Sequence, residues 1–120
     1  MTVNPMRWAV VAFALLGAMG ALLLLGSMRD PCAGTLRRYV ATYDVAKSPC
    51  SVDPDCLLDP LPAQGPGVCD RSRRASSDRG GLELLEARWR EAGCPAPGAA
   101  CPPIAGARCE KGRCVTVLAR

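Results

Sequence analysis

An uninterrupted apolar stretch is the most regular feature of the hydrophobic pattern. Between Arg7 and Arg29 the chain reads WAVVAFALLGAMGALLLLGSM, and none of these 21 residues is charged. As a helix, a stretch of this length would cross the roughly 30 Å hydrocarbon core of a bilayer. The pattern predicts that residues 1–28 form an anchor or signal segment that contacts a membrane through residues 8–28.

Two interpretations of this segment remain open. The stretch is longer than the apolar part of most secretory signals, which favours a retained single-pass anchor. A cleaved signal needs small residues before the cleavage site; Ala18 and Gly20 meet that need but would leave a run of leucines on the mature end. The sequence favours a membrane protein with its carboxy-terminal domain outside the cytoplasm, and secretion after cleavage is the alternative.

Helical spacing of apolar side chains returns at residues 33–47. Leu36, Tyr39 and Tyr43 recur at intervals of three or four residues, as they would on one face of a helix. The middle of this stretch is also rich in β-branched and aromatic residues, so a strand is the alternative. We expect residues 29–49 to be a juxtamembrane segment with a helical conformation.

A second helix is predicted at residues 82–92. Leu82, Leu85 and Trp89 fall on one face, and Gly93 provides a stop signal. Because the segment that follows the apolar stretch has few large apolar residues, Trp89 is expected at the centre of the core. The glutamates of this helix are expected on its solvent-facing side: Glu83, Glu86 and Glu91.

Prolines and glycines interrupt the remaining sequence and limit its strands to short pieces. One strand is predicted at residues 56–59. Lys111 and Gly112 form the centre of a tight hairpin turn that leads into a final strand. The pattern therefore predicts a small disulfide-rich α+β domain over residues 50–120, with one helix packed on a short antiparallel hairpin or sheet.

Eight cysteines follow the apolar stretch, and an even number without any C-x-x-C spacing is typical of a disulfide framework. The missing C-x-x-C argues against a thioredoxin-like centre, a zinc ribbon and haem attachment. Four disulfides place the domain in an oxidising compartment. The cysteines expected to form them are Cys32, Cys50, Cys56, Cys69, Cys94, Cys101, Cys109 and Cys114.

The pairing of these cysteines stays open, although one pair has a geometric argument. If Lys111 and Gly112 form the turn, Cys109 and Cys114 face each other as a non-hydrogen-bonded cross-strand pair, close enough for a disulfide. Alternatively, each of the two bonds another element, such as the strand around Cys56. That arrangement would close longer loops and constrain the unfolded chain more strongly.

The composition excludes several kinds of active site. The chain has no His, which removes Ser-His-Asp and Cys-His catalysis and Cys/His zinc sites. Its aromatic residues are two Trp, two Tyr and one Phe, too few to stack many bases. We therefore expect no catalytic, metal or cofactor site, and nucleic acid is a poor candidate partner.

The most basic part of this chain, whose net charge is +4, lies in residues 70–81. It is expected to be an exposed loop or a lead-in to the second helix. A solvated run of charges is the favoured interpretation, and a surface for an anionic partner is the alternative. The arginines of that candidate surface are Arg71, Arg73, Arg74 and Arg79.

These motifs resemble those of small cysteine-rich bacterial exported proteins that carry an amino-terminal signal or anchor. The segment CSVDPDC at residues 50–56 is similar to their C-x-x-D-x-D-C strand entry. A helix ending in Cys follows, and ARCEKGRCV at residues 107–115 is similar to their closing hairpin, A-x-C-x-x-G-x-C-V. The resemblance covers residues 48–118 and implies an extracytoplasmic location and a disulfide-stapled fold, without any activity.

By elimination, the sequence favours a membrane-anchored extracytoplasmic binding or structural module without catalytic activity. A secreted protease-inhibitor-like protein, presenting a disulfide-braced loop at residues 95–108, is one alternative. Another is an accessory subunit whose apolar helix packs against a protein partner within a membrane complex. The ligand and the oligomeric state are not determined by the sequence.

Overall fold

The computed structural model describes residues 5–27, 30–96 and 101–120 and divides the chain into two compact units, Met1–Asp30 and Pro31–Arg120. The first unit contains helix α1 (Pro5–Ser27). The second contains two helices, four strands and one 3-10 turn, in the order α2 (Pro31–Ala46), the turn Asp53–Asp55, β1 (Cys56–Leu58), β2 (Ser72–Arg74), α3 (Gly80–Glu91), β3 (Ile104–Glu110) and β4 (Arg113–Leu118).

Helix α1 confirms the helical conformation predicted for the apolar stretch. Its side chains over residues 6–22 are exposed, including Trp8 and Phe13. Among the residues that the structure describes, however, no helix combines the length and the apolarity that crossing a membrane requires. The predicted transmembrane span is therefore not supported.

Helices α2 and α3 pack side by side and contribute the apolar core of the second unit. The core consists of Tyr39, Tyr43, Leu82 and Leu85, with Val68 packed against it. The Cys32–Cys94 disulfide joins the start of α2 to the residues after α3, so the two helices run antiparallel. The helical conformation predicted for residues 33–47 is confirmed, and the alternative of a strand is wrong.

Helix α3 confirms the second predicted helix, with two differences inside it. Trp89 is buried and donates a hydrogen bond from Nε1 to the Pro95 carbonyl at 3.1 Å, yet the tyrosines of α2 occupy the centre of the core. Glu86, expected on the solvent-facing side, is buried. Gly93 follows the helix with a φ of 68°, a conformation that glycine adopts without strain.

Two small antiparallel sheets replace the single sheet that was predicted. One pairs β1 with β2, with Leu57 opposite Arg73, and the other pairs β3 with β4. Strand β2 lies within residues 70–81, which were expected to be an exposed loop or a lead-in to the second helix; residues 72–74 are a paired strand instead, and the residues after them lead into α3. Helix α2 belongs to the same compact unit as α3 and the strands, so residues 31–49 are part of the folded domain. Over its described residues, the second unit is thus two helices and two sheets.

The β3–β4 hairpin has the turn that the sequence predicts. Lys111 has a φ of 51° and Gly112 a φ of 77°, the left-handed conformations that a two-residue turn of the primed type requires. Cys109 and Cys114 are cross-strand partners in the register. The predicted hairpin is therefore confirmed.

All eight cysteines form disulfides, as predicted, and none is free. Although Cys109 and Cys114 face each other, they do not bond to each other, so each fastens the hairpin to another part of the chain. The second of the two interpretations is confirmed, including the bond to the strand at Cys56. The pairs are Cys32–Cys94, Cys50–Cys109, Cys56–Cys114 and Cys69–Cys101.

Substitution of Leu82 measures how much the small apolar core contributes to stability. Leu82 is fully buried, so Leu82→Ala should lower the free energy of unfolding by about 2–5 kcal/mol through lost burial and a cavity. Leu84 lies two residues away on the exposed side of α3, and Leu84→Ala should cost under about 1 kcal/mol. Guanidinium unfolding with the disulfides intact checks both, and equal losses would contradict this core.

Candidate functional site

Two buried carboxylates and three arginines form a polar cluster beside the apolar core. Glu86 of α3 accepts a hydrogen bond from the Tyr39 hydroxyl at 2.8 Å and another from Arg79 Nη2 at 3.0 Å, both on its Oε1. Burial of a carboxylate is costly unless charged or polar donors compensate it. Glu86 is therefore an internal acceptor, and the predicted position on the wet face of the helix is wrong.

Asp59, just after β1, is the second buried carboxylate. Its Oδ2 accepts hydrogen bonds from the Tyr43 hydroxyl at 2.9 Å and from Arg73 Nε at 2.8 Å. Its Oδ1 lies 3.6 Å from Arg79 Nε. Arg79 therefore bridges Asp59 and Glu86, and the cluster connects both helices to the β1–β2 sheet.

The four arginines of the predicted anion-binding surface do not form one exposed surface. Arg71 and Arg73 are only 6% and 8% exposed, and Arg71 donates to the backbone carbonyls of Asp59, Val68 and Cys69. The expectation that they lie in an exposed loop is wrong, because β2 pairs with β1 and turns these arginines toward buried acceptors. Of the four predicted residues, Arg74 and Arg79 are half-buried, and only Arg74 contributes to the groove described below.

Both tyrosines of the chain are held in the neutral form. Burial and the hydrogen bond to Asp59 raise the pKa of Tyr43 to about 12, against an opposing contribution from Tyr39. Burial, and then the hydrogen bond to Glu86, also raise the pKa of Tyr39. Their rings pack edge to face with centroids 5.2 Å apart. The tyrosines are therefore hydrogen-bond donors to the buried carboxylates at physiological pH.

A second polar group surrounds Lys47. Its Nζ donates to Asp70 Oδ1 at 2.8 Å and to Ser72 Oγ at 3.0 Å, and Asp70 also accepts from Thr116 Oγ1 at 2.6 Å. Burial disfavours the charged Asp70, but the hydrogen bonds from Lys47, Thr116 and Ser72 outweigh it and lower the pKa of Asp70 to about 2. A serine beside a lysine can form a catalytic pair, yet Ser72 is 0% exposed and closed to substrate.

One group of sulfur atoms has a spacing that would suit a metal ion. Among the described residues, the Sγ atoms of Cys50, Cys56 and Cys109 lie within 4.8 Å of one another. Each of them is bonded to another sulfur, so none offers the thiolate that metal coordination requires. The proximity reflects two neighbouring disulfides beside the turn of the hairpin.

An open groove of about 750 Å³ runs along α2 and α3 and is closed at one end by the β2–α3 connection. Its floor is apolar and includes Ala41, Val45, Leu84 and Leu85. Val45 is 76% exposed and Leu84 54% exposed. Neighbouring exposed apolar side chains in a concave surface are typical of a contact site for another molecule.

Three arginines surround this floor. Arg38 of α2 and Arg88 of α3 are exposed, and their side chains make no hydrogen bond or ion pair with any residue that the structure describes. Arg74 at the other end of the groove donates from Nε to the Ala46 carbonyl at 3.2 Å. Asp78 is the acidic residue of the lining, and its carboxylate accepts a hydrogen bond from the Gly80 N–H. The groove therefore combines an apolar floor with an excess of positive charge.

Of the lining residues, Arg74 is one of the candidates that the sequence predicts, whereas Arg38, Val45, Leu84 and Arg88 are not among them. A signal was present in the spacing. Arg38 and Val45 are separated by seven residues and Leu84 and Arg88 by four, so each pair lies on one face of its helix. Those faces point away from the core, and only the packing of α2 against α3 makes them neighbours.

Part of the predicted protease-binding loop lies outside the described residues. Residues 97–100 are in that part, and residues 104–108, at its other end, belong to β3. The end of the loop is therefore a paired strand, which is a correction to the prediction.

No family model matches the chain, and no curated protein or solved structure does so either.

An alkaline titration tests the buried tyrosines directly, because the chain has two tyrosines and both are in this cluster. Tyrosinate absorbance of the folded protein should stay low near pH 10.5, where more than half of the tyrosine in the unfolded chain is ionised. Since the folded-state pKa values are raised, this contribution to stability is complete below about pH 10 and is lost as the pH rises toward about 12. Ionisation of the folded protein with a midpoint near 10 would contradict the cluster.

Proposed function

We propose that this protein is an extracytoplasmic, non-catalytic binding module, and that the groove between α2 and α3 binds a partner that is both apolar and anionic. One observation carries the proposal: Arg38 and Arg88 stand without side-chain partners among the described residues, beside an exposed apolar floor. We call this surface, formed by Arg38, Ala41, Val45, Arg74, Leu84 and Arg88, the arginine groove.

The contrast with the other arginines of the domain supports this proposal. Arg71, Arg73 and Arg79 each donate hydrogen bonds to buried carbonyl or carboxylate oxygens. The fold thus uses those cations internally, whereas Arg38 and Arg88 on the groove have no side-chain partner in the part of the chain that the structure describes and can meet an anion. Complementary charge at an interface raises the rate of association and selects the partner, and the apolar floor adds affinity by burial.

We propose that the domain is not catalytic because its candidate catalytic groups are enclosed or hydrogen-bonded inside the fold. A nucleophile or general base must be within reach of its substrate. Ser72 and Lys47 have a suitable distance but are enclosed, and Asp59 and Glu86 are committed to arginines and tyrosines. These groups are therefore better suited to holding the domain together than to turning over a substrate.

Four disulfides indicate an oxidising, extracytoplasmic environment. We propose that the apolar residues of α1 direct the chain to this compartment. The uncharged, mainly apolar residues that follow Arg7 in that helix favour contact with lipid or with an export machinery. The domain with the arginine groove is then either attached to a membrane through α1 or released into solution after cleavage.

A small amphiphilic anion tests the arginine groove. We expect 8-anilinonaphthalene-1-sulfonate to shift the backbone amide resonances of Val45, Leu84 and Arg88 in the oxidised full chain. The double variant Arg38→Glu/Arg88→Glu should weaken this binding about tenfold or more, because it removes two cations from the groove.

The matched control is Arg37→Glu/Arg90→Glu, which makes the same charge change on the same two helices outside the groove. This control should alter the dissociation constant less than about twofold. Shifts confined to residues outside the groove, or equal losses in the two variants, would contradict the proposal.

Intact mass spectrometry of native protein, with and without reduction and thiol labelling, tests the proposed location. We expect no labelled thiol before reduction and eight after it, since all cysteines are paired. Full-length protein in the membrane fraction would mean a retained α1, and a shortened species in the supernatant would mean a cleaved one. Reduced protein confined to the cytoplasm would contradict the extracytoplasmic proposal.

A further inference from the structure

We infer that the arginine groove binds an amphipathic helix with acidic flanks from a partner protein, which packs as a third helix on α2 and α3. This inference rests on the proposed function and adds the kind of ligand. A small molecule, a lipid surface and a helix could each combine apolar and anionic character. The form of the groove and the positions of its charges favour the helix.

The form of the groove is the first reason. Its two walls are antiparallel helices, and side chains between neighbouring helices form a trough into which the ridge of a third helix can pack. The trough is open toward solvent along its length, with Val45 and Leu84 mostly exposed. A small ligand would remain largely uncovered in such a trough, whereas a helix would bury both side chains.

The distribution of charge is the second reason. Arg38 lies on one helical wall and Arg88 on the other, so cations flank the apolar floor from both sides. An amphipathic helix with a leucine stripe bordered by glutamates has the complementary pattern. The arginine guanidinium also suits carboxylates in particular, because it can donate two parallel hydrogen bonds to them.

The same distribution argues against an anionic lipid surface. Attraction to a bilayer surface needs several basic residues spread over one exposed face. Here Arg71 and Arg73 are buried, Arg38 and Arg88 border a trough rather than a flat face, and the exposed Arg37 and Arg90 lie outside that trough. Lipid binding is therefore the competing outcome of the test.

The probe is a synthetic peptide of about 18 residues, long enough to form helix in water, with leucines at helical spacing and glutamates on both flanks. A scrambled peptide of the same composition keeps the charge but loses the stripe. Each is titrated into the oxidised full chain, and amide resonances of Val45, Leu84 and Arg88 are followed. Vesicles with and without an anionic phospholipid form a separate arm.

We expect the amphipathic peptide to bind at the groove at least about tenfold more tightly than the scrambled one. Arg38→Glu/Arg88→Glu should abolish that preference, and Arg37→Glu/Arg90→Glu should retain it. Equal binding of the two peptides would overturn the inference, since charge alone would explain it. The inference would also be overturned if the protein bound anionic vesicles but not the peptide, and if Arg38→Glu/Arg88→Glu weakened vesicle binding while Arg37→Glu/Arg90→Glu did not.

The two proposals fail in different ways. If the anilinonaphthalene sulfonate binds at the groove and the amphipathic peptide does not, the helix inference is wrong and the groove remains a binding site for a smaller amphiphile. If neither ligand shifts the groove resonances, both proposals are wrong. Circular dichroism of the Arg38→Glu/Arg88→Glu variant should match the parent, because neither arginine has a side-chain partner among the described residues.

Discussion

The fold depends on an ion-pair cluster in which Arg79 bridges two buried carboxylates and Arg73 makes the shorter contact with one of them, Asp59. Glu86 lies on α3 and Asp59 follows β1, and the buried carboxylate of each is paired with Arg79. Tyr39 and Tyr43 complete the arrangement from α2, one hydroxyl for each carboxylate. A single polar cluster thereby fixes the relative positions of both helices and the first sheet. The few apolar residues of the core could not do this alone.

The disulfides solve a related problem, because a core of four large side chains is small for a domain of this size. Three of the bonds join cysteines that are 58 to 62 residues apart, and long loops of this kind restrict the unfolded chain strongly. Two of them bind the hairpin to the segments before and within β1. The hairpin is therefore held by covalent bonds where the apolar core does not reach.

The arginine groove follows from how the domain uses its few apolar residues and its arginines. Arg71, Arg73 and Arg79 donate hydrogen bonds to carboxylates and carbonyls inside the domain, and the large apolar residues on the inner helical faces form the core. The outer faces of α2 and α3 retain exposed apolar side chains beside Arg38 and Arg88, which have no side-chain partner among the described residues. Exposed apolar patches of this kind are typical of surfaces that bind another molecule.

The sequence by itself determined the helices, the Lys111-Gly112 turn, the complete pairing of cysteines and the lack of a histidine-based site, because periodicity, turn chemistry and composition are local properties. The tertiary structure decided which cysteines bond and that Arg71 and Arg73 turn inward. It also placed Glu86 inside and made Arg38 and Arg88 neighbours across a groove. Such features depend on contacts between residues distant in sequence, where a buried carboxylate overrides the usual preference of an arginine for solvent.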